Sequence, residues 1–299
     1  MADLDELFDQ VTSLAGRPRT IEDLPGGLTN QNLKVTTPDG VYVVRLSRSE
    51  NELLGINRDA ESFNTRAAEA SGAGAPFVDY RPDLGLLVIG FLGGRSYAND
   101  DLRRPGTLPR VAEAMRRLHA GPRFASDFDM FRRQPAYLQT CVERGFRIPD
   151  DYVAHAQDLL RIQGALAASP QPTVPCNNDL LAGNIVDDGD RIWLIDYDYA
   201  GNNDAFFEIG NSWTECELDD DHLAELVTAY VGHEAPELVA RARLQATVSR
   251  YGWSLWGFIQ AASSDDDFDY YGWGQERFDL AVSDFRSPHF STLLDQAAP

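Results

Sequence analysis

The segment VPCNNDLLAGNIVDDGDRIWLIDYDYAGNND, residues 174–204, holds Asp179, then Asn184, then Asp196. Phosphoryl transfer from a triphosphate to a hydroxyl needs such a set. One carboxylate must orient the attacking hydroxyl and take its proton, and further oxygens must hold the magnesium ions that offset charge on the triphosphate. Asp179 suits the first task. Asn184 and Asp196 suit the second, with Asp196 facing in from the end of the apolar run RIWLID. An Asp-x4-Asn spacing alone is common, and a polar turn capped by its own side chains would also account for it. A strand end or a helix N-cap would account for Asp196. Gly183, which permits a tight turn, and the apolar run leading straight to Asp196 make the three read as one unit.

These side chains need a scaffold that brings distant residues together. A chain of 299 residues, 43% of them hydrophobic, can bury a large core and divide into two lobes. Leu4, Leu7, Val11 and Leu14 form a helical stripe over 3–15. GGLTNQNLKVTT reads as turn and strand, TPDG (37–40) as a hairpin turn and VYVVRLS (41–47) as the next strand. NRDAESFNTRAAEAS (57–71) is a helix closed by Gly72, and two strands follow around a turn at Pro82–Gly85. Beyond Gly93-Gly94 the pattern is helical over 107–120, 133–145, 150–168, 220–231, 235–262 and 270–285, interrupted by the 174–204 segment. The expected fold is α+β and bilobal, with a small β-rich lobe over 1–92 carrying one main helix, and a larger, mostly helical lobe over 93–299.

A net charge of −21 repels phosphate backbones and anionic membranes, so neither nucleic acid nor a membrane is an expected partner. Cys141, Cys176 and Cys216 fit no metal spacing and no disulfide framework, which points to a reducing compartment, the cytoplasm. MADLDELFDQ lacks the basic and apolar regions of a signal peptide, and no apolar run is long enough to span a bilayer. The five histidines are scattered along the chain, which argues against zinc. Oligomeric state is not legible.

NNDLLAGNIV…IWLIDYDYAGNNDAFFEIGNSWTE resembles the choline/ethanolamine kinase family, within the wider group that includes the aminoglycoside phosphotransferases. The match runs through Asn178-Asp179, Gly183-Asn184, Ile195 to Tyr199, Phe207 to Asn211, and Glu215. Asn177, Asp198 and Glu208 depart from the family's His, Glu and Asp. The histidine is mainly a brace in that group, and an asparagine can also donate and accept hydrogen bonds. The resemblance covers most of residues 25–285 and implies a protein-kinase-like fold that uses ATP and Mg2+. PGGLTNQNLKV would be the glycine-rich turn, where Gly27 lets the backbone approach phosphates and Thr29 or Asn30 donates to them. Arg45 would clamp the phosphates and Glu61 would fix Arg45. LVIGFLGG, with Phe91, would be the strand and hinge that meet the adenine. His119 is expected to pack beneath the catalytic loop.

YGWSLWGFIQ (251–260) and FDYYGWGQERFD (268–279) concern the acceptor. Trp253 and Trp256 share a helix face, which plain core packing would also explain. Tyr270, Tyr271 and Trp273 follow beside an acidic loop. A quaternary ammonium donates no N–H bond, so its recognition rests on aromatic faces and nearby negative charge. The family's acceptor segment resembles Trp253, Trp256, Trp273 and Gln275-Glu276-Arg277-Phe278, and Asp198, Tyr199 and Glu215 would complete the pocket. The expected partner is a cationic small-molecule acceptor, choline first. Ethanolamine, an amino sugar or an aminoglycoside is the alternative acceptor, and a nucleotide-binding pseudokinase is the non-enzymatic alternative.

Overall fold

The computed structural model describes residues 4–24, 30–47, 53–265 and 267–298. Five antiparallel strands form the first layer: β1 (Thr20–Leu24), β2 (Asn30–Thr37), β3 (Gly40–Ser47), β4 (Phe77–Arg81) and β5 (Leu86–Gly90), in the order β1-β2-β3-β5-β4. Helix α1 (Leu4–Phe8) is shorter than its apolar stripe suggests. Asp9 accepts from the backbone of Gly16, and the chain closes by turns from Phe8 to Val11 and from Val11 to Leu14. Such local bonds compete with the helical ladder. The stripe still does its work, because Phe8, Val11 and Leu14 pack into one core with Leu33, Val35, Val44 and Val88.

Helix α2 (Arg58–Ser71) begins where Asn57 accepts from the backbone of Ala60 and ends at Gly72 in the left-handed conformation. Its position matters because it carries Glu61. The backbone of Leu194 donates to Ala73 at 2.8 Å, tying the end of this helix to the strand before Asp196.

The layer changes after Gly90. Strand β6 (Arg95–Ser96) pairs not with the first sheet but with β8 (Ile185–Asp187), which pairs with β9 (Ile192–Leu194). Gly94 lets this happen, since a Cβ there would sit 2.6 Å from the Asp187 carbonyl oxygen. A second small sheet joins β7 (Thr173–Cys176) to β10 (Gly201–Asp204). The segment between β7 and β10 therefore leaves one small sheet, crosses the other and returns.

The helices of this second lobe are α3 (Asn99–Leu102), α4 (Thr107–His119), α5 (Met130–Arg144), α6 (Ala156–Ala168), α7 (Ala205–Glu215), α8 (Asp220–Val231), α9 (Pro236–Ser263), α10 (Tyr270–Arg286) and α11 (Phe290–Ala297). Helix α9 is the axis: nearly every residue from Ala240 to Gln260 is buried against α5, α7 and α10. An all-round buried helix has no polar face for sequence periodicity to reveal. Helix α6 starts later than position 150 because a 3-10 turn occupies Tyr152–His155. The three cysteines are buried and unpaired. Among the described residues no helix is long and apolar enough to cross a membrane.

Candidate active site

The 174–204 loop is sewn together by asparagine side chains. Asn177 accepts from the backbone of Asp179 at 3.1 Å and donates to the carbonyls of Ile195 at 3.0 Å and Asp196 at 2.7 Å. Asn184 donates its Nδ2 to the Asp179 carbonyl at 2.9 Å, and its own carbonyl accepts from Ile195 at 3.0 Å. Asp179, Asn184 and Asp196 are thus tied to one another through the loop backbone. Asn177 performs both halves of a brace, donor and acceptor, with a single side chain.

Two residues of the loop adopt left-handed backbone: Asn178 at φ 65° and Asp196 at φ 66°. Neither is glycine, so surrounding bonds must hold them there. Asn178 is fully buried and donates through Nδ2 to the carbonyls of Cys176, Tyr199 and Gly201, while its Oδ1 accepts from Asn203. Its backbone N–H donates to Glu208 Oε2 at 3.0 Å, and Glu208 Oε1 meets His119 Nε2 at 2.8 Å. His119, Cys176 and Glu208 converge from distant positions with potential ligand atoms within 4.8 Å of one another. The histidine and carboxylate are already spent on one another and on Asn178, beneath the loop.

Asp179 presents a carboxylate that no side chain among the described residues binds. Burial first, then Asp196, Glu215 and Asp198 nearby, push it up to about 8. A carboxyl in that state can accept a proton near neutral pH, which suits it to work on a hydroxyl. Of these nearby carboxylates, Asp196 is paired with Arg45 and Glu215 with Arg277 beside Trp273.

The arginine side is a connected charge network among the described residues. Arg45 Nη1 contacts Glu61 Oε1 at 2.7 Å, Asp198 Oδ1 at 2.8 Å and Asp196 Oδ1 at 2.9 Å. Arg58 Nη1 bridges Glu61 Oε2 at 2.7 Å and the same Asp198 oxygen at 2.8 Å. Asn30 closes the ring, accepting from Arg58 at 2.8 Å and donating to Asp198 at 2.9 Å. Burial and Asp198 push Glu61 up to about 7, against the pull of both arginines. Burial also raises Asp198, but Arg45 and Arg58 outweigh it and hold it below its usual value. Burial raises Asp196, against Arg45.

One residue that the sequence grouped with the acceptor pocket belongs to this network. Asp198 turns to the arginines, while the next residue, Tyr199, turns its ring to the tryptophans. Both sit at the centre of the turn that the Ala200 N–H closes onto the Tyr197 carbonyl at 3.2 Å. Arg58 was not read as a site residue. Its signal was available, since it lies three positions before Glu61 on α2 and so shares its face.

The oxygens fit a hard divalent cation. Asn184 has committed its amide nitrogen, so Oδ1 is its remaining polar atom. Only Oδ1 of Asp196 is bound by Arg45, and its side chain keeps 22% exposure where Asp198 keeps 4%. Amide and carboxylate oxygens are the donors magnesium prefers. Phe91 lies past the end of β5, its backbone donating to the Val41 carbonyl and its ring beneath Lys34 Nζ at 5.3 Å. Gly27 and Thr29 lie outside the described residues.

The aromatic side centres on Tyr199. Its ring meets Trp253 edge-on at 4.8 Å, and its hydroxyl accepts from Trp256 Nε1 at 2.7 Å. Trp256 meets Trp273 at 5.3 Å. Trp253 also packs on Phe128 and Tyr137, so it belongs to the core as much as to the site. Glu215, at the end of α7, pairs with Arg277 Nη2 at 2.7 Å. Arg133, which the sequence reading missed, sits 5.5 Å from the Tyr199 ring centre and 5.6 Å from that of Tyr137.

Comparison with known proteins follows the same outline. A family model described as choline/ethanolamine kinase matches residues 21–282. Ethanolamine kinase 2 of Mus musculus is 33% identical over 292 residues, covering 84% of this chain and 72% of the mouse protein. The crystal structure of a choline/ethanolamine kinase family protein from Mesorhizobium loti is 28% identical, with a TM-score of 0.87 over 99% of this chain and 98% of that one. Choline kinase LicA from Streptococcus pneumoniae shares the fold at 22% identity, with a TM-score of 0.76 over 89% of this chain and 93% of that one.

Proposed function

The chain belongs to the choline/ethanolamine kinase family, a family of ATP-dependent small-molecule kinases, and on that premise we propose that it phosphorylates the hydroxyl of choline, using ATP with Mg2+. The observation that carries the reading is the carboxylate of Asp179, unpaired by any described side chain and raised by burial first, then by Asp196 and Glu215. A hydroxyl held there meets a base, with the triphosphate on the arginine side and its own cationic end on the aromatic side. Asp179 orients the hydroxyl and takes its proton as the O–P bond forms. Arg45, held by Glu61, contacts phosphate oxygens. Asn184 and Asp196 would hold magnesium, which supplies charge neutralisation on the phosphates when bound. Phe91 and the hinge backbone receive the adenine, and Gly27, Thr29 and Asn30 belong to the phosphate turn.

Choline is favoured over other amino alcohols by the number of rings gathered on the acceptor side. Tyr199, Trp253, Trp256 and Trp273 form one connected group beside Glu215. Each aromatic face contributes about 0.5–2 kcal/mol to a quaternary ammonium. Ethanolamine is the second reading, because the Arg277 guanidinium already covers Trp273, which reduces the open aromatic surface. We place the protein in the cytoplasm, where ATP and free thiols coexist. A coupled ADP-release assay over choline, ethanolamine, amino sugars and aminoglycosides tests this: highest kcat/KM with choline supports it, ethanolamine ahead of choline selects the second reading, and turnover of aminoglycosides alone overturns both.

A further inference from the structure

Arg277 is a cation seated where an ammonium would bind. Its guanidinium carbon lies 3.8 Å from the ring centre of Trp273. On its other side it forks onto Glu215, Nη2 to Oε2 at 2.7 Å and Nε to Oε1 at 3.2 Å. The Arg277 side chain is 15% exposed and that of Glu215 6%. An aromatic face on one side and a carboxylate on the other are the two things a cationic acceptor needs. Here both are already satisfied within the protein. Glu276, whose Oε2 lies 3.3 Å from Nη1, is the only other carboxylate paired with Arg277 among the described residues.

The pair is not readily exchanged for a ligand. A bidentate guanidinium–carboxylate contact, mostly out of water, leaves an uncompensated charge if either partner is taken away. An acceptor that displaced Arg277 from Glu215 would have to rehouse the guanidinium. One that enters beside it meets the remaining faces, Trp256 and Tyr199, and a Glu215 charge already partly neutralised.

We propose, on the footing of the acceptor reading above, that Arg277 determines specificity: its guanidinium fills the seat between Trp273 and Glu215 and limits the pocket to a small cationic head. Removing it opens a cation-sized space with both partners intact. The triethylammonium analogue of choline is the size probe, and methylguanidine is the probe for the vacated seat.

Wild type, Arg277→Ala and Arg277→Met are assayed for ADP release with choline and with the triethyl analogue. Methionine keeps an apolar stem on Trp273, so one variant stays folded if the alanine variant does not. The expected result is a rise of ~10-fold in the triethyl-to-choline ratio of kcat/KM, the worth of one cation–aromatic contact. Methylguanidine is expected to compete with the acceptor in the variants and to leave wild type unaffected. A purely structural role predicts instead that both acceptors lose activity by the same factor in folded protein, with no competition by methylguanidine, and that result overturns the proposal. If wild type phosphorylates no amino alcohol, the acceptor reading fails by itself. The seat is then judged by methylguanidine quenching of tryptophan fluorescence, which must appear in Arg277→Met and not in wild type.

Discussion

The arginine side and the aromatic side each hold a largely buried arginine, and they neutralise it differently. Arg45 shares three carboxylates, Glu61, Asp196 and Asp198, two of which also serve Arg58. Arg277 has a fork onto Glu215 and the face of Trp273. A shared network can release one member and keep the rest in place, so Asp196 can turn to a metal while Glu61 and Asp198 still hold Arg45. The Arg277–Glu215 fork has beside it only the exposed Glu276 at 3.3 Å, so breaking it leaves a mostly buried charge poorly compensated. On the proposed reading, the Arg45 side, which would face the nucleotide, can rearrange its charge, and the Arg277 side, which would face the acceptor, keeps a fixed shape.

The strongest attempt to break this contrast is Asp196→Asn. The account expects kcat to fall by about 10³-fold at saturating magnesium, in the range of a lost charge-stabilising group. Thermal stability should change little, because Arg45 retains two carboxylates. A variant that melts far below wild type would show that Asp196 is part of a rigid structural pair, and the contrast would fall.

A smaller effect is expected on the aromatic side. Trp256→Ala removes an aromatic face and the donor to the Tyr199 hydroxyl. The KM for the acceptor should rise ~10-fold with the KM for ATP unchanged. Equal increases in both constants would mean that the two sides are not independent.

The smallest effect should come from Asn177→His. Asn177 makes three bonds to loop backbone, and an imidazole can replace two of them as one donor and one acceptor. Turnover is expected to stay within about tenfold of wild type, measured as kcat at saturating ATP and acceptor. A larger loss would show that the loop is tuned to asparagine rather than merely braced by it.

The sequence carried the contiguous half of this design. Asp179, Asn184 and Asp196 stand within one segment, and their spacing implied convergence before any coordinates. Arg45 on an alternating strand and Glu61 on a capped helix were legible for the same reason: each lies in an element with a clear period and clear ends. Long-range pairing was not legible. Strands β7 and β10 are four residues each and pair across the whole intervening loop, 177–200. Helix α7 escaped notice because it buries polar residues (Glu208, Asn211 and Ser212) as well as apolar ones, which blurs its period, and because it follows directly on β10. Asp198 and Arg58 find one another only once α2 is laid against the loop, and Arg277, one turn along α10 from Trp273, meets Glu215 only through the packing of the helices. Segment identity is local, whereas the partner of a buried charge is a property of the fold.

The central claim is that Asp179 is the base at the meeting point of the two sides, and its titration tests that claim most directly. Burial, Asp196, Glu215 and Asp198 hold the carboxyl up at about 8 in the folded protein, against about 4 in an unfolded chain. The ionised form that accepts a proton is therefore present above the folded value and lost below it. The same shift makes the folded state bind the extra proton between those values, so this group's contribution to stability falls as pH rises through that window. The measurement is kcat/KM for the acceptor against pH, with Asp179→Asn alongside and thermal melts of both. The account predicts that wild-type activity climbs with pH to a plateau. It predicts that Asp179→Asn loses about 10³-fold or more and melts higher than wild type above pH 8. An Asp179→Asn protein that keeps turnover within tenfold of wild type, with an unchanged pH profile, would contradict it.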